Sequence, residues 1–269
     1  MPIVTLQLCY FIAFLSFSGL SVTTATTYLA GIAFKQQMAG LPDPLDSFVV
    51  KKMMAGFRRA NSKSHDQRLP ITEDILQKIL VAIPSISAST FESILIHAAF
   101  TLAFFGFLRI GEISANSRFD IQPSVLRRSD VKFSTRGSQH VIIIDFRVSK
   151  NNQFGSPQTV VVPSHTNPLL CPVLALRNYL LQADAAPTLF AHFDKSPITR
   201  YQFSDILKKA ISFTDIPGKH LFKSHSFRIG AATTAHMHGL SDEEIQVMGR
   251  WRSNAFKTYI RLSPQGTQA

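Results

Sequence analysis

Only one part of this 269-residue sequence reads as sheet. Residues 131–134, 140–148 and 159–162 are short β-branched runs, and the polar segment 149–157 joins the second to the third as a hairpin turn would. Around them apolar residues recur at helical spacing. Ile75, Leu76, Ile79, Leu80 and Ile83 form a stripe behind the acidic first turn Thr72-Glu73-Asp74, and Pro84 is expected to stop that helix. A longer apolar helix is predicted from Phe91 to Phe105, ended by Gly106. Pro172 suits the first position of a short helix over 173–181, and Thr199 caps another that reaches Phe213. The pattern predicts a mainly α fold with a small antiparallel sheet (α+β).

The first 34 residues carry no charged side chain. Their apolar run, 6–20, has the composition of a signal peptide or membrane helix. No Lys or Arg precedes it, however, and Ser16, Ser18 and Gly19 interrupt it, so a buried helix of a soluble domain is expected. Ser21 or Thr23 caps a second helix ending near Met38, with Tyr28, Leu29, Ile32 and Ala33 on one side. Leu41-Pro42-Asp43-Pro44 breaks it. A third helix over 48–58 carries Lys51, Lys52 and Arg58, with Arg59 just beyond. Residues 61–70 are polar, basic and end in Pro70, as a linker would.

A net charge of +11 and a pI near 9.9 point to a polyanionic partner, nucleic acid first and an anionic membrane surface second. The two cysteines, Cys9 and Cys171, match no metal or redox spacing, so a reducing compartment fits and secretion does not. His236 and His238 are the nearest histidine pair, but nothing completes a ligand set; no metal or other cofactor is expected. The spacing Gly106-x4-Gly111 lacks the Lys and Ser/Thr of a phosphate loop, which excludes nucleotide binding.

Arg109 is flanked by Phe107, Leu108 and Ile110, and an arginine there needs a partner. Either Glu112, three residues on, pairs with it internally, or it holds an anion. Far downstream, His225 and Arg228 share one face of a helix. A small-residue helix follows over 229–238, with Gly239 past its end, and Ser241 and Glu244 form a capping box for the next. That one ends at Gly249, in the run Gly249-Arg250-Trp251, and Asn254 caps a last turn carrying Tyr259. Taken singly, Trp251 reads as core packing, Tyr259 as one more amphipathic residue, and Lys150 in the hairpin turn as solubilising.

Taken as a set, the Leu108-Arg109-Ile110-Gly111-Glu112 segment, His225-x-x-Arg228, Gly249-Arg250-Trp251 and Tyr259 resemble the catalytic domain of the tyrosine recombinases, the phage integrase family. The runs HSFRIGAATTA and GRW resemble its eukaryotic mobile-element branch. The resemblance implies a DNA-breaking and rejoining enzyme working through a 3′-phosphotyrosine. Arg109 and Arg228 would clamp the scissile phosphate, His225 would assist proton transfer, and Trp251 would donate its indole N–H to a phosphate oxygen. Lys150, with Lys132 as fallback, would protonate the leaving 5′-oxygen, and Tyr259 would attack. Glu112 would support Arg109. The chemistry agrees: guanidiniums stabilise the negative charge that builds on the non-bridging oxygens. Tyrosine, with a pKa near about 10, needs a proton acceptor and a cationic surrounding.

The resemblance further implies a truncated helical core-binding domain over 1–62, a linker over 63–70 and a catalytic domain over 71–269. In that family the two domains grip opposite faces of double-stranded DNA, which gives Lys51, Lys52, Arg58 and Arg59 phosphates to contact. The expected assembly is a homotetramer on DNA and a monomer when free, nuclear in a eukaryote and otherwise cytoplasmic, with no membrane partner. Trp251 precedes Tyr259 by eight residues, one fewer than in bacterial members. The rival expectation is a mobile-element remnant that binds DNA without recombining it.

Overall fold

The computed structural model describes residues 3–61, 66–147 and 158–261, and the chain divides into two compact units, Met1–Asp66 and Gln67–Ala269. Among its described residues the first unit has the helices α1 (Thr5–Phe17), α2 (Val22–Met38) and α3 (Phe48–Ala60). The Ser21 side chain starts α2 by accepting the Thr24 N–H at 3.1 Å. A one-turn 3-10 helix, Pro44–Asp46, follows the break after α2. The small core joins Leu8, Ile12 and Leu15 of α1 to Ala25 and Leu29 of α2 and to Val50, Met54 and Phe57 of α3.

Two expectations need correcting here. The run over 6–20 does form a helix, but it is not buried all round: Leu6, Tyr10, Phe14 and Phe17 are exposed. A helix apolar on every side can bury only the side its neighbours cover, and α2 and α3 cover one side of α1. Tyr28 is also exposed, because Ala25, Leu29, Ala33 and Gln36 set the buried stripe of α2 and Tyr28 lies one position off it. Among the described residues no helix is long and apolar enough to cross a membrane. The four cations of the third helix, Lys51, Lys52, Arg58 and Arg59, are all exposed. Lys51 pairs with Asp46 at 3.0 Å, and the Lys52 ammonium lies 5.2 Å from the Phe48 ring centre.

The second unit is helical around one small sheet. Strands β1 (Val131–Arg136), β2 (Gln139–Phe146) and β3 (Gln158–Pro163) form an antiparallel meander with β2 in the middle. Val131 faces Ile144 on one side, and Val160 faces it on the other. The buried Ile142 and Ile144 are two residues apart, so one sheet face joins the core. Lys132 on β1 is exposed and paired with Asp145 at 3.3 Å. Lys150 lies outside the described residues.

The helices are α4 (Glu73–Ile86), α5 (Thr90–Phe105), the single turn α6 (Ile110–Ile113), α7 (Pro172–Gln182), α8 (Arg200–Ser212), α9 (Ser226–Met237) and α10 (Asp242–Gly249). Pro84 does not stop α4, which continues to Ile86. The proline removes one N–H near the end, while the Ser87 N–H and hydroxyl both close on the Ile83 carbonyl, at 3.1 and 2.8 Å. Helix α5 is apolar on every side and is surrounded: Phe100 meets Phe203 of α8 and Phe227 of α9, with ring centres 4.8 and 5.0 Å apart.

Small residues let α9 be approached closely. A Cβ on Gly230 would fall 1.7 Å from the Ile71 carbonyl oxygen, so only glycine admits the strand of chain that enters this unit. That segment is tied down where the Ile71 N–H donates to the Ser226 carbonyl at 3.0 Å. The anchor falls on the first turn of α9, between His225 and Arg228.

Candidate active site

The site begins where α5 ends. Gly106 caps the helix, and Phe107 then adopts φ +50°, left-handed and unusual for a residue with a side chain. Reversing the chain there turns the Phe107 carbonyl inward, and Arg109 follows as the cap of α6. Its N–H donates to Glu112 Oε2 at 2.8 Å, and its Nη1 to Glu112 Oε1 at 3.2 Å. The internal ion pair considered from the sequence is therefore present, but it is half of a larger arrangement. Glu112 also accepts from Arg250, through Nη1 at 3.2 Å and Nη2 at 2.9 Å.

Burial works to raise the Glu112 carboxyl. Arg250 foremost, then the Arg109 N–H and guanidinium, outweigh it and hold the acid below its ordinary value. Glu112 is thus ionised between two arginines.

Arg228, on the first turn of α9, is 1% exposed. Its Nη1 donates to the Phe107 carbonyl and its Nη2 to the Gly249 carbonyl, so it joins the end of α5 to the end of α10. Burial first, then the neighbouring charges of Arg109 and Arg250, lower its pKa to about 9, which leaves it cationic at neutral pH. Trp251 stacks on it, with the guanidinium carbon 4.1 Å from the ring centre. The indole in turn rests on Gly249, where a Cβ would come within 1.6 Å of it. The core contribution expected for Trp251 is met by Phe107 and Phe256, each 6.2 Å away between ring centres.

Tyr259 completes the group. Ser253, one residue before the expected Asn254, caps a 3-10 turn over Asn254–Thr258, and Tyr259 ends that turn. Ser253 is extended, and its hydroxyl accepts the Ala255 N–H at 3.4 Å, which lets it start the turn and leaves Asn254 inside it. The Tyr259 ring centre lies 5.0 Å from that of His225 and 5.0 Å from that of Trp251, with the Arg228 guanidinium 5.9 Å away. Its carbonyl accepts from Thr233 Oγ1 at 3.3 Å, and Thr233 Oγ1 in turn accepts the Arg261 N–H at 3.1 Å.

Six residues singled out in the sequence therefore converge: Arg109, Glu112, His225, Arg228, Trp251 and Tyr259. They come from three segments separated by more than a hundred residues of chain at the widest gap. Lys132 sits on β1 with its own acidic partner. The cations of α3 belong to the other unit.

One member was missed. Arg250 is buried in a left-handed conformation, φ +56°, at the end of α10, with its guanidinium 3.7 Å from the Phe146 ring centre. The signal was available: Arg250 precedes Trp251 and follows Met248 and Gly249, and an arginine in such an apolar surrounding needs a carboxylate. Glu112 had already been given to Arg109, and a carboxylate with two oxygens can serve both.

No protein-family model matches the chain. An integrase/recombinase XerD homolog of Selenomonas ruminantium is 29% identical over 154 residues, which cover 52% of this chain and 41% of that protein. The chain thus matches about four-tenths of the length of this curated relative. The XerH site-specific recombinase in a post-cleavage complex with its palindromic difH substrate superposes with a TM-score of 0.61 at 15% identity, covering 98% of this chain and 68% of that one. The Tn1549 transposon integrase with circular-intermediate DNA gives 0.61 at 15% identity, covering 97% and 82%. A lambda integrase dimer bound to a COC′ core site gives 0.58 at 16% identity, covering 99% and 66%. The chain has the fold of these solved recombinases and integrases, and over 154 residues its sequence is similar to that of the XerD homolog.

Proposed function

We propose that this protein is a site-specific DNA recombinase that cuts and rejoins double-stranded DNA through a 3′-phosphotyrosine. The observation that carries the reading is the convergence of Tyr259, His225 and Arg228 beside Arg109, a nucleophile and a proton acceptor next to paired guanidiniums. In this reading Tyr259 attacks the phosphorus and the 5′-oxygen leaves. His225 takes part in moving the tyrosine proton, Arg109 and Arg228 stabilise the charge on the non-bridging oxygens, and Trp251 holds Arg228 and the tyrosine ring in place. By the family resemblance Lys150 supplies the proton to the leaving oxygen. The phosphotyrosine bond conserves the energy needed for religation.

The three neighbouring structures named above are DNA complexes, which supports a DNA partner, as does the charge of +11. The exposed Lys51, Lys52, Arg58 and Arg59 suit phosphate contacts from a core-binding domain. The same reading takes four copies to assemble on DNA from free monomers. The likeness of HSFRIGAATTA and GRW to mobile-element enzymes supports an element-borne recombinase working in a nucleus.

A second reading, DNA binding without recombination, draws on the closure of Arg228. At 1% exposure, with both terminal nitrogens on backbone carbonyls, it must be uncovered before it can touch a phosphate. One experiment separates the two. A nicked duplex that traps the covalent intermediate is incubated with the protein in EDTA, and adducts are read on a denaturing gel. The recombinase forms an adduct that Tyr259→Phe does not. Binding with no adduct selects the second reading. Activity lost to EDTA and restored by Mg²⁺ would sink the arginine mechanism.

A further inference from the structure

Arg250 has no part in the steps above, yet it is the most heavily committed arginine of the cluster. Both its terminal nitrogens reach Glu112, one on each carboxylate oxygen, and Nη2 also donates to the Phe107 carbonyl at 3.3 Å. Its backbone is left-handed, a conformation that a non-glycine residue keeps only where its surroundings over-determine it. We infer that Arg250 is a positioning residue that acts through Glu112 to keep Arg109 available for the scissile phosphate. The inference rests on the recombinase reading.

Glu112 carries one negative charge and faces two guanidiniums. With Arg250 bound to both of its oxygens, Glu112 holds the Arg109 side chain through a single contact at 3.2 Å and fixes its backbone through the N–H at 2.8 Å. The rest of the Arg109 fork, on a side chain 22% exposed, remains for an anion. Without Arg250, the second carboxylate oxygen would be free to close on Arg109 and make a bidentate pair. The clamp would then be neutralised from behind. The shared Phe107 carbonyl pins Arg250 to the turn that carries Arg109, so the relation cannot slide.

Balance of charge gives the same result. Three guanidiniums, Arg109, Arg228 and Arg250, face one carboxylate, an excess of positive charge that suits a site awaiting a phosphate.

Arg250→Lys keeps a cation for Glu112 and loses the planar fork; Arg250→Met removes both. Adduct formation on the nicked duplex is followed under single turnover at saturating DNA, so that rate constant and amplitude separate, with a thermal melt alongside. A positioning role lowers the Arg250→Lys rate constant by roughly 100-fold at full amplitude and unchanged DNA affinity. Combined with Arg109→Lys, it makes the enzyme no slower than Arg109→Lys alone, because both act on one interaction. A fall in amplitude at the wild-type rate constant shows a merely structural residue and overturns the inference. So does unfolding of both variants, or a double variant slowed by the product of the two single effects. If the wild-type protein forms no adduct, the recombinase reading has failed, and this one with it.

Discussion

The two sides of the site are built on opposite plans. On one side Arg109, Arg228, Arg250 and Glu112 form a charged floor held from α5, α6, α9 and α10, in which Glu112 and the Phe107 carbonyl each serve more than one arginine. On the other side Tyr259 stands at the end of a 3-10 turn. Its backbone is tied by its own N–H to the Phe256 carbonyl at 2.8 Å and by its carbonyl to Thr233, while among the described residues its ring meets the rings of His225 and Trp251 and the Arg228 guanidinium. The difference follows from what each must do. Charges that stabilise a transition state are effective when fixed beforehand, as Arg109 is by Glu112, whereas Arg228 has still to be uncovered. A nucleophile that has to reach a phosphorus and later release it belongs on a segment that opens at low cost.

The contrast predicts that changes to the tyrosine side separate activity from stability, and changes to the floor do not. The largest effect belongs to Tyr259→Phe. It removes the nucleophilic oxygen and little volume, so the adduct should vanish while stability shifts by less than roughly 1.5 kcal/mol. A residual adduct would mean that another side chain attacks. Arg228→Lys comes next. An ammonium cannot bridge the Phe107 and Gly249 carbonyls, and cleavage should fall by about 10²–10³-fold. Here the melting temperature should drop too; wild-type stability in this variant would break the comparison.

A smaller effect is expected at the hinge of the two plans. Thr233 Oγ1 links α9 to the tyrosine segment through the Tyr259 carbonyl and the Arg261 N–H. Thr233→Val keeps the shape and deletes that link, costing about 1 kcal/mol of stability. If the segment is held there, protease cleavage near residue 261 should rise and adduct formation slow several-fold, with DNA affinity unchanged. Unaltered proteolysis would show that ring stacking alone secures the tyrosine.

The same contrast explains what was legible beforehand. Helices that end in local chemistry could be read to within a residue or two: the Ser241–Glu244 box, the Thr199 cap, and Gly239 at φ +79° past α9. The three strands were legible because β-branched runs have no competing helical period there. What failed depended on neighbours. The exposed Leu6, Tyr10, Phe14 and Phe17 obey the same helical pattern as the buried Leu8, Ile12 and Leu15, and only the number of partner helices decides between them. Pro84 and Asn254 gave correct local signals that adjoining serines overrode. Arg250 escaped because its partner is 138 residues away, and pairing over that distance leaves no period in the sequence.

The smallest effect tests the floor by pH. Burial works to raise the Glu112 carboxyl, but the Arg250 guanidinium above all holds it below its ordinary value. A carboxylate depressed in this way contributes its full stability above the unfolded value, and the contribution is lost as the pH falls through the folded one. Through Glu112, stability should therefore not change with pH near neutrality, and it should decline below the ordinary glutamate range, where protonation leaves Arg250 buried beside a neutral acid. Tyr259→Phe removes no carboxylate, so it should retain this acid limb. Glu112→Gln should start from lower stability, because two arginines lose their counter-charge, and should show a flatter decline. Thermal melts of the three proteins over that range decide it, and parallel curves for wild type and Glu112→Gln would place the acid sensitivity elsewhere than in the arginine floor.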